Sequence, residues 1–478
     1  MAEFRDATGR PGPSTWELGT YPQGRSDYPV GGVSWYEAAA YAEFVGQSLP
    51  TVYHWYLGAT APNNSPILQV SNFAGHGPAK LGTSQAVGLF GTYDMGGNVR
   101  EWCWNQTGDR HYILGSAWND PPYLFVVPVS LPPFDRSETN GFRTAHYITP
   151  LADLATSPVS VPFRDFSREK PVRDDVFRVY KEMYSYDRSD LKPVVEAVEK
   201  TAEWRREKIS FNAAYGNERV TAHLFLPENA PPPYQTVIYF PHLAAVLQGS
   251  AEPLQIEFMS FLVRSGRAVM YPVYKGTNER HIEPPPVSGS RADRDRAIQW
   301  SKDFSRSIDY LQTRPDIDGG KLAFFGVSLG AYYAPLLTAI DGRLKASVLY
   351  AGGLKAMGIG CCFRPLPEVD PFNFLAHDQT PTLMINGRSD LLVPLQKSQI
   401  PMFRLLGAPA KDKRHVVLEG GHASVRFQEV IKETLDWLDR YQGPVKSMTG
   451  ERGDDVERWQ KIEQLCHASL EREPSERG

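Results

Sequence analysis

From about residue 209 the chain alternates short, nearly unbroken apolar runs with amphipathic stretches. Runs of strand length occupy 220–226, 236–241, 267–274, 321–326, 346–351, 381–386 and 414–418, with helical spacing at 254–264, 292–313, 331–340, 395–406 and 425–441. Strands apolar on both faces, separated by helices, specify a doubly wound, mainly parallel sheet covered on both sides. Upstream, 173–206 carries helical spacing: Val176, Val179, Tyr180 and Met183, then Leu191, Val194, Val195 and Val198. Residues 149–173 are rich in proline and charge and read as a linker. The first 150 residues differ, with turns dominating and one convincing helix at 34–45, opened by a capping box of Ser34 and Glu37. This divides the chain into an irregular domain (1–150), a linker and helical segment (151–208), an α/β domain (209–442) and a charged tail (443–478) with a short helix predicted over 454–470.

Charge and cysteine usage narrow the function classes. In 478 residues, 51 basic side chains face 55 acidic ones, a net charge of −4. That balance gives no electrostatic footprint for nucleic acid or an anionic membrane. The chain opens without a basic-then-apolar leader, and no run reaches the ~18 apolar residues of a membrane span. A soluble protein is expected, with its compartment and oligomeric state open. Four cysteines (Cys103, Cys361, Cys362, Cys466) make neither a disulfide framework nor a zinc template, so the vicinal pair Cys361-Cys362 is read as two thiols.

The sharpest chemical signal is Gly326-Val327-Ser328-Leu329-Gly330, where an apolar run turns directly into a helical pattern. A neutral serine hydroxyl is a poor nucleophile until a tight strand-to-helix turn lifts it out of the sheet toward a base. Alone, the motif is expected by chance in roughly one such chain in five. Two further strand ends supply its partners: Asp390 follows 381–386, and His422 follows 414–418 after Gly420-Gly421. Reactive groups gather at the carboxyl ends of strands in such sheets. Asp390 would hold the imidazole of His422, and His422 would take the proton of Ser328. The amide of Leu329 is one candidate oxyanion donor, and His242 or Leu243, after the 236–241 run, a second.

The order Ser, acid, His over 209–441 resembles the α/β-hydrolase superfamily, nearest its dienelactone-hydrolase and prolyl-oligopeptidase-like members. That resemblance implies ester or peptide hydrolysis through an acyl-serine intermediate with no catalytic cofactor. It also implies a cap near 353–378, making Met357, Phe363, Arg364, Phe372 and Phe374 the candidate substrate pocket.

The first domain carries a separate series: Gly31-Gly32-Val33-Ser34-Trp35-Tyr36-Glu37, Gly91-Thr92-Tyr93-Asp94-Met95-Gly96-Gly97-Asn98-Val99-Arg100-Glu101-Trp102, and Asn140-Gly141-Phe142-Arg143. Over 15–148 it resembles the formylglycine-generating enzyme (sulfatase-modifying factor) domain, which implies an irregular C-type-lectin-like fold. The resemblance also implies oxidation at a copper held by two cysteines. This domain has only Cys103, carries Thr144 directly after Gly141-Phe142-Arg143, and scatters His54, His76, His111 and His146. One thiolate does not make a Cu(I) site, so a catalytically silent domain is expected. The resemblance further implies a structural calcium on Asp94, Gly97, Val99 and Glu101. A hydrogen-bonded turn using the same carboxylates is the other reading.

Such a domain ahead of a hydrolase also resembles the C-terminal part of some bacterial Ser/Thr kinases, although no kinase motif is present. The expectation is a serine hydrolase acting on a small-molecule ester, with the first domain shaping its pocket or binding a ligand. A peptidase for short peptides, or a ligand sensor with a vestigial hydrolase fold, are the alternatives.

Overall fold

In the first domain the capping box forms as the sequence predicts. Ser34 Oγ accepts from the Glu37 amide and Glu37 Oε2 accepts from the Ser34 amide, opening the helix Trp35–Phe44. A second helix, Val52–Ala59, has no counterpart in the sequence reading. Strands β1 (Arg100–Thr107), β2 (Arg110–Leu114), β3 (Val129–Leu131) and β4 (Asn140–Gly141) pair in the order β3-β2-β1-β4. Successive residues of β1 face opposite ways, so one helix packs on Trp102 and Ile113 and the other on Cys103, Tyr112 and Leu114. The computed structural model describes residues 4–445 except 60–69, 74, 89, 121–123, 126–127, 160–163, 248–253, 255, 283–285, 355–363 and 423–424. The helix predicted over 454–470 lies outside them.

The apolar runs of the larger domain become β7 (Arg219–Pro227), β8 (Tyr234–Phe240), β9 (Ala268–Val273), β10 (Ile317–Val327), β11 (Leu344–Tyr350), β12 (Thr382–Gly387) and β13 (Lys413–Leu418). Two strands precede them, β5 (Val194–Lys200) and β6 (Trp204–Asn212). All nine join one sheet in the order β13-β12-β11-β10-β8-β9-β7-β6-β5. Pairings from β13 to β9 are parallel and those from β9 through β7 and β6 to β5 antiparallel.

Strand side chains serve both faces alternately. Ile238, Phe240, Leu322 and Phe324 pack beneath the helices Arg291–Thr313 and Leu329–Thr338, through Trp300, Phe304 and Leu336. Val237, Tyr239, Ala323 and Phe325 pack on the helices Ser260–Arg264 and Phe427–Gln442, through Leu262, Val430 and Leu438. Burial on both faces is why these strands read as continuous apolar runs.

Two readings upstream are corrected. The spacing of Leu191, Val194, Val195 and Val198 predicts helix, but Val194–Lys200 is an edge strand whose residues are all exposed. Apolar periodicity reports a buried face, and this strand has none. The sheet therefore begins at Val194, ahead of the predicted boundary at 209. The linker, in turn, is clamped to the larger domain. Arg164 lies over the rings of Phe166 and Phe372, which pack on each other, and pairs with Asp370 and Glu169 at 2.7 Å each.

Asp378 is buried at the end of the helix that starts at Ser328. Its Oδ2 lies 2.6 Å from Thr338 Oγ1, and its Oδ1 accepts from the Thr380 amide. Thr338 Oγ1 also lies 2.8 Å from Ala334 O. One hydroxyl proton cannot serve both acceptors, so a proton on Asp378 completes the pair. Burial pushes this carboxyl from its ordinary 3.8 up to about 6. Its stabilising contribution is therefore full below pH ~4 and is lost as pH rises through ~6. At about 1.4 kcal/mol per unit, ionised Asp378 costs the fold roughly 3 kcal/mol near neutrality. Asp378→Asn should flatten the fall in urea midpoint between pH 4 and 7, whereas an unchanged slope would show that Asp378 does not titrate in this window.

Candidate active site

Ser328 sits between β10 and the helix Leu329–Thr338 at φ +51°, ψ −101°, a left-handed backbone unusual for a residue with a side chain. Its amide donates to Tyr350 O of β11 at 2.8 Å. The flanking glycines are required by contact. A Cβ on Gly326 would stand 2.7 Å from Gly330 C, and one on Gly330 would stand 2.3 Å from Phe240 O at the end of β8. The serine is thus held above the sheet between two close backbone approaches.

Asp390 and His422 arrive from the ends of β12 and β13, which lie across β11 from β10. His422 Nδ1 lies 2.7 Å from Asp390 Oδ2, and Nε2 lies 2.8 Å from Ser328 Oγ. A carboxylate only accepts, so Nδ1 carries the imidazole proton and Nε2 is left to accept from the serine hydroxyl. Asp390 Oδ1 accepts from the amides of Leu392 and Val393, both at 2.9 Å, which fixes the rotation of the carboxylate. Both residues are buried (3 % and 7 % exposed), where this charge-assisted pair is weakly screened by water.

The loops bearing Asp390 and His422 are tied to each other. Arg388 N donates to Leu418 O and Ser389 N to Gly420 O. A Cβ on Gly387 would fall 2.1 Å from Gly421 O. The sequence reading missed Gly387, although an Asn-Gly pair closing a strand is a signal for a close backbone approach. Asn386 also bridges strand ends: its Nδ2 donates to Gly352 O and its Oδ1 faces His415 Nε2 at 3.1 Å.

Of the proposed oxyanion donors, Leu329 is the first residue of its helix, where amides lack intrahelical acceptors. His242 and Leu243 follow β8, whose last residue touches Gly330. There the Ala244 amide donates to His242 Nδ1, the His242 ring packs edge-on against Phe258, and Leu243 is exposed.

The predicted substrate pocket fares differently. Phe372 and Phe374 are buried in the core, against Phe166 and against Phe177 and Tyr184. Arg364 is exposed and pairs with Glu169 at 2.6 Å. These three hold the linker, because the chain upstream of the sheet packs where a cap was expected. Met357 and Phe363 lie outside the described residues.

In the first domain, Cys103 is fully buried and burial pushes its thiol well up. It is a packing residue. Both oxygens of Glu101 receive the Arg143 guanidinium at 2.6 Å, and Oε2 also accepts from Trp55 Nε1. Asp94 accepts from the Gly82 amide and the Ser84 hydroxyl. The two carboxylates of the calcium expectation are thus engaged in hydrogen bonds, and Arg143 stands where a cation would need open oxygens. Asp94, Val99, Glu101 and Thr144 border a cavity of about 1190 Å³ walled by Trp16, Tyr28, Val30, Val33, Tyr41, Tyr93 and Phe142. Among the described residues, no helix is long and apolar enough to cross a membrane.

Residues 5–148 match the sulfatase-modifying factor enzyme 1-like domain. Over 106 residues the chain is 30% identical to a serine/threonine-protein kinase pkn1 of Chlamydia pneumoniae, covering 21% of this chain and 17% of that protein. An uncharacterized protein of Mycobacterium tuberculosis is 29% identical over 202 residues, 38% of this chain and 66% of its own. The chain thus spans about a sixth of the chlamydial kinase. Among solved structures, acetyl xylan esterase 1 from Thermoanaerobacterium sp. aligns with 14% identity and TM-score 0.45, over 58% of this chain and 96% of that one. A putative dienelactone hydrolase from Klebsiella pneumoniae aligns with 18% identity and TM-score 0.38, over 49% and 96%.

The nine-strand order, with β7 antiparallel to β9, defines the larger domain as an α/β-hydrolase fold, and the residues ahead of it are those that match the sulfatase-modifying factor enzyme 1-like domain. Because the Gly387 contact aligns the two loops, Gly387→Ala should displace His422 from Ser328. A shift of ~1 Å there should slow fluorophosphonate labelling by about 10²-fold, and labelling at the wild-type rate would show that the loops tolerate the side chain.

Proposed function

We propose that the protein is a serine hydrolase that cleaves carboxylic esters through an acyl-serine intermediate. The observation that carries this reading is the continuous hydrogen-bond chain Ser328–His422–Asp390 on a strained strand-to-helix turn. Ser328 Oγ attacks the ester carbonyl as its proton passes to His422 Nε2, and Asp390 stabilises the imidazolium that forms. The developing oxyanion would lie at the helix N-terminus, with the Leu329 amide and an amide of the loop at His242 and Leu243 as its proposed donors. His422 returns the proton to the departing alkoxide, and water then releases the acid by the same steps.

The first domain serves this site as a wall that limits substrate size. Leu392, two residues beyond Asp390, packs against that domain's core and supports the arrangement. The cavity bordered by Trp16 and Tyr93 supports a ligand-binding role for the same domain alongside it.

Ser328→Ala should lower p-nitrophenyl ester turnover by about 10³-fold or more, and a fluorophosphonate should label the peptide containing Ser328 in the wild type alone. Equal turnover by the two proteins would remove the assignment.

A further inference from the structure

On the reading that Asp390 is the acid of this set, we propose that the first domain positions it through Leu392, so that the acid is held jointly by two domains. Asp390 Oδ1 has two amide donors, Leu392 and Val393, and their backbone sets the angle at which Oδ2 meets His422. The side chains of those two residues are anchored in different bodies. Val393 lies against the end of β11, where a Cβ on Gly353 would meet its Cβ at 2.8 Å. Leu392 leaves the larger domain and packs against the cluster built by Val33, Trp102 and Ile113, together with Val30 and Phe142. The side chains of Leu391, Arg388 and Ser389 are exposed, and the loop's other ties run from Arg388 and Ser389 to the loop that bears His422.

Leu392 therefore acts as a positioning residue. A half-buried leucine side chain packed on the neighbouring domain restrains its own amide, and the amide restrains the carboxylate. Val30, Val33 and Phe142, which belong to the packing that receives Leu392, also wall the cavity of the first domain.

The full-length protein tests this. Leu392→Ala should lower kcat for a p-nitrophenyl ester by about 10-fold with KM held within about twofold, and Leu392→Met should recover most of the loss. A role confined to the pocket wall would raise KM instead. On an Asp390→Ala background, Leu392→Ala should cost nothing further in fluorophosphonate labelling, because two residues acting through one carboxylate are not additive. Wild-type kcat in Leu392→Ala, or an additive loss on the Asp390→Ala background, would overturn the proposal. Should Leu392→Ala not fold, Leu392→Val carries the same measurements. If Ser328→Ala abolishes turnover while the Leu392 variants match wild type, the anchor alone fails. If Ser328→Ala leaves turnover intact, the hydrolase reading fails.

Discussion

Ser328 keeps a left-handed backbone although it bears a side chain, and the surrounding chain pins it there. Gly330 lets the end of β8 close onto the first turn of the helix, and Gly326 lets that turn fold back over β10. The amide of Ser328 is fastened to β11. With those contacts in place the hydroxyl has one place to be, above the carboxyl edge of the sheet. The loops after β12 and β13 then need only reach that place. Burial of Phe324 and Phe325 on opposite faces of β10 supplies the rigid base on which the turn rests.

Where side chains are buried with a definite period, the sequence was legible. The strands from β7 to β12, the helices around them and the capping box at Ser34 lie in such regions, while the half-buried edge strand β13 was legible from its short apolar run alone. The Ser328–Asp390–His422 set was legible because each member closes a strand and their order along the chain follows the sheet. Legibility failed at β5, whose valines face solvent and obey no burial period. It failed again at Phe372 and Phe374, where aromatic residues in a cap-like position gave no sign that the linker would cover them. Contacts across long separations, such as Leu392 with the first domain, are tertiary facts that no local pattern encodes, and the Asn-Gly pair at Gly387 marks a close approach without specifying Gly421 as its partner.

The two domains divide the chemistry unequally. In the first, the only cysteine is packing, and the carboxylates of the family's motif are neutralised by Arg143 or capped by local donors. What remains is a walled cavity and a core that receives Leu392. The larger domain carries every residue of the proposed reaction. On the proposed reading, fusion couples a packing domain to the active site, and both domains touch the loop that bears Asp390.

The double amide cradle at Asp390 has a consequence for the imidazole. An asparagine at that position must present its single carbonyl oxygen to the Leu392 and Val393 amides, which turns its NH₂ group toward His422 Nδ1. The ring would then accept at Nδ1 and hold its proton on Nε2, pointing at the serine. An Asn side chain of nearly identical shape would thus leave every distance in place and still reverse the direction in which the proton can move.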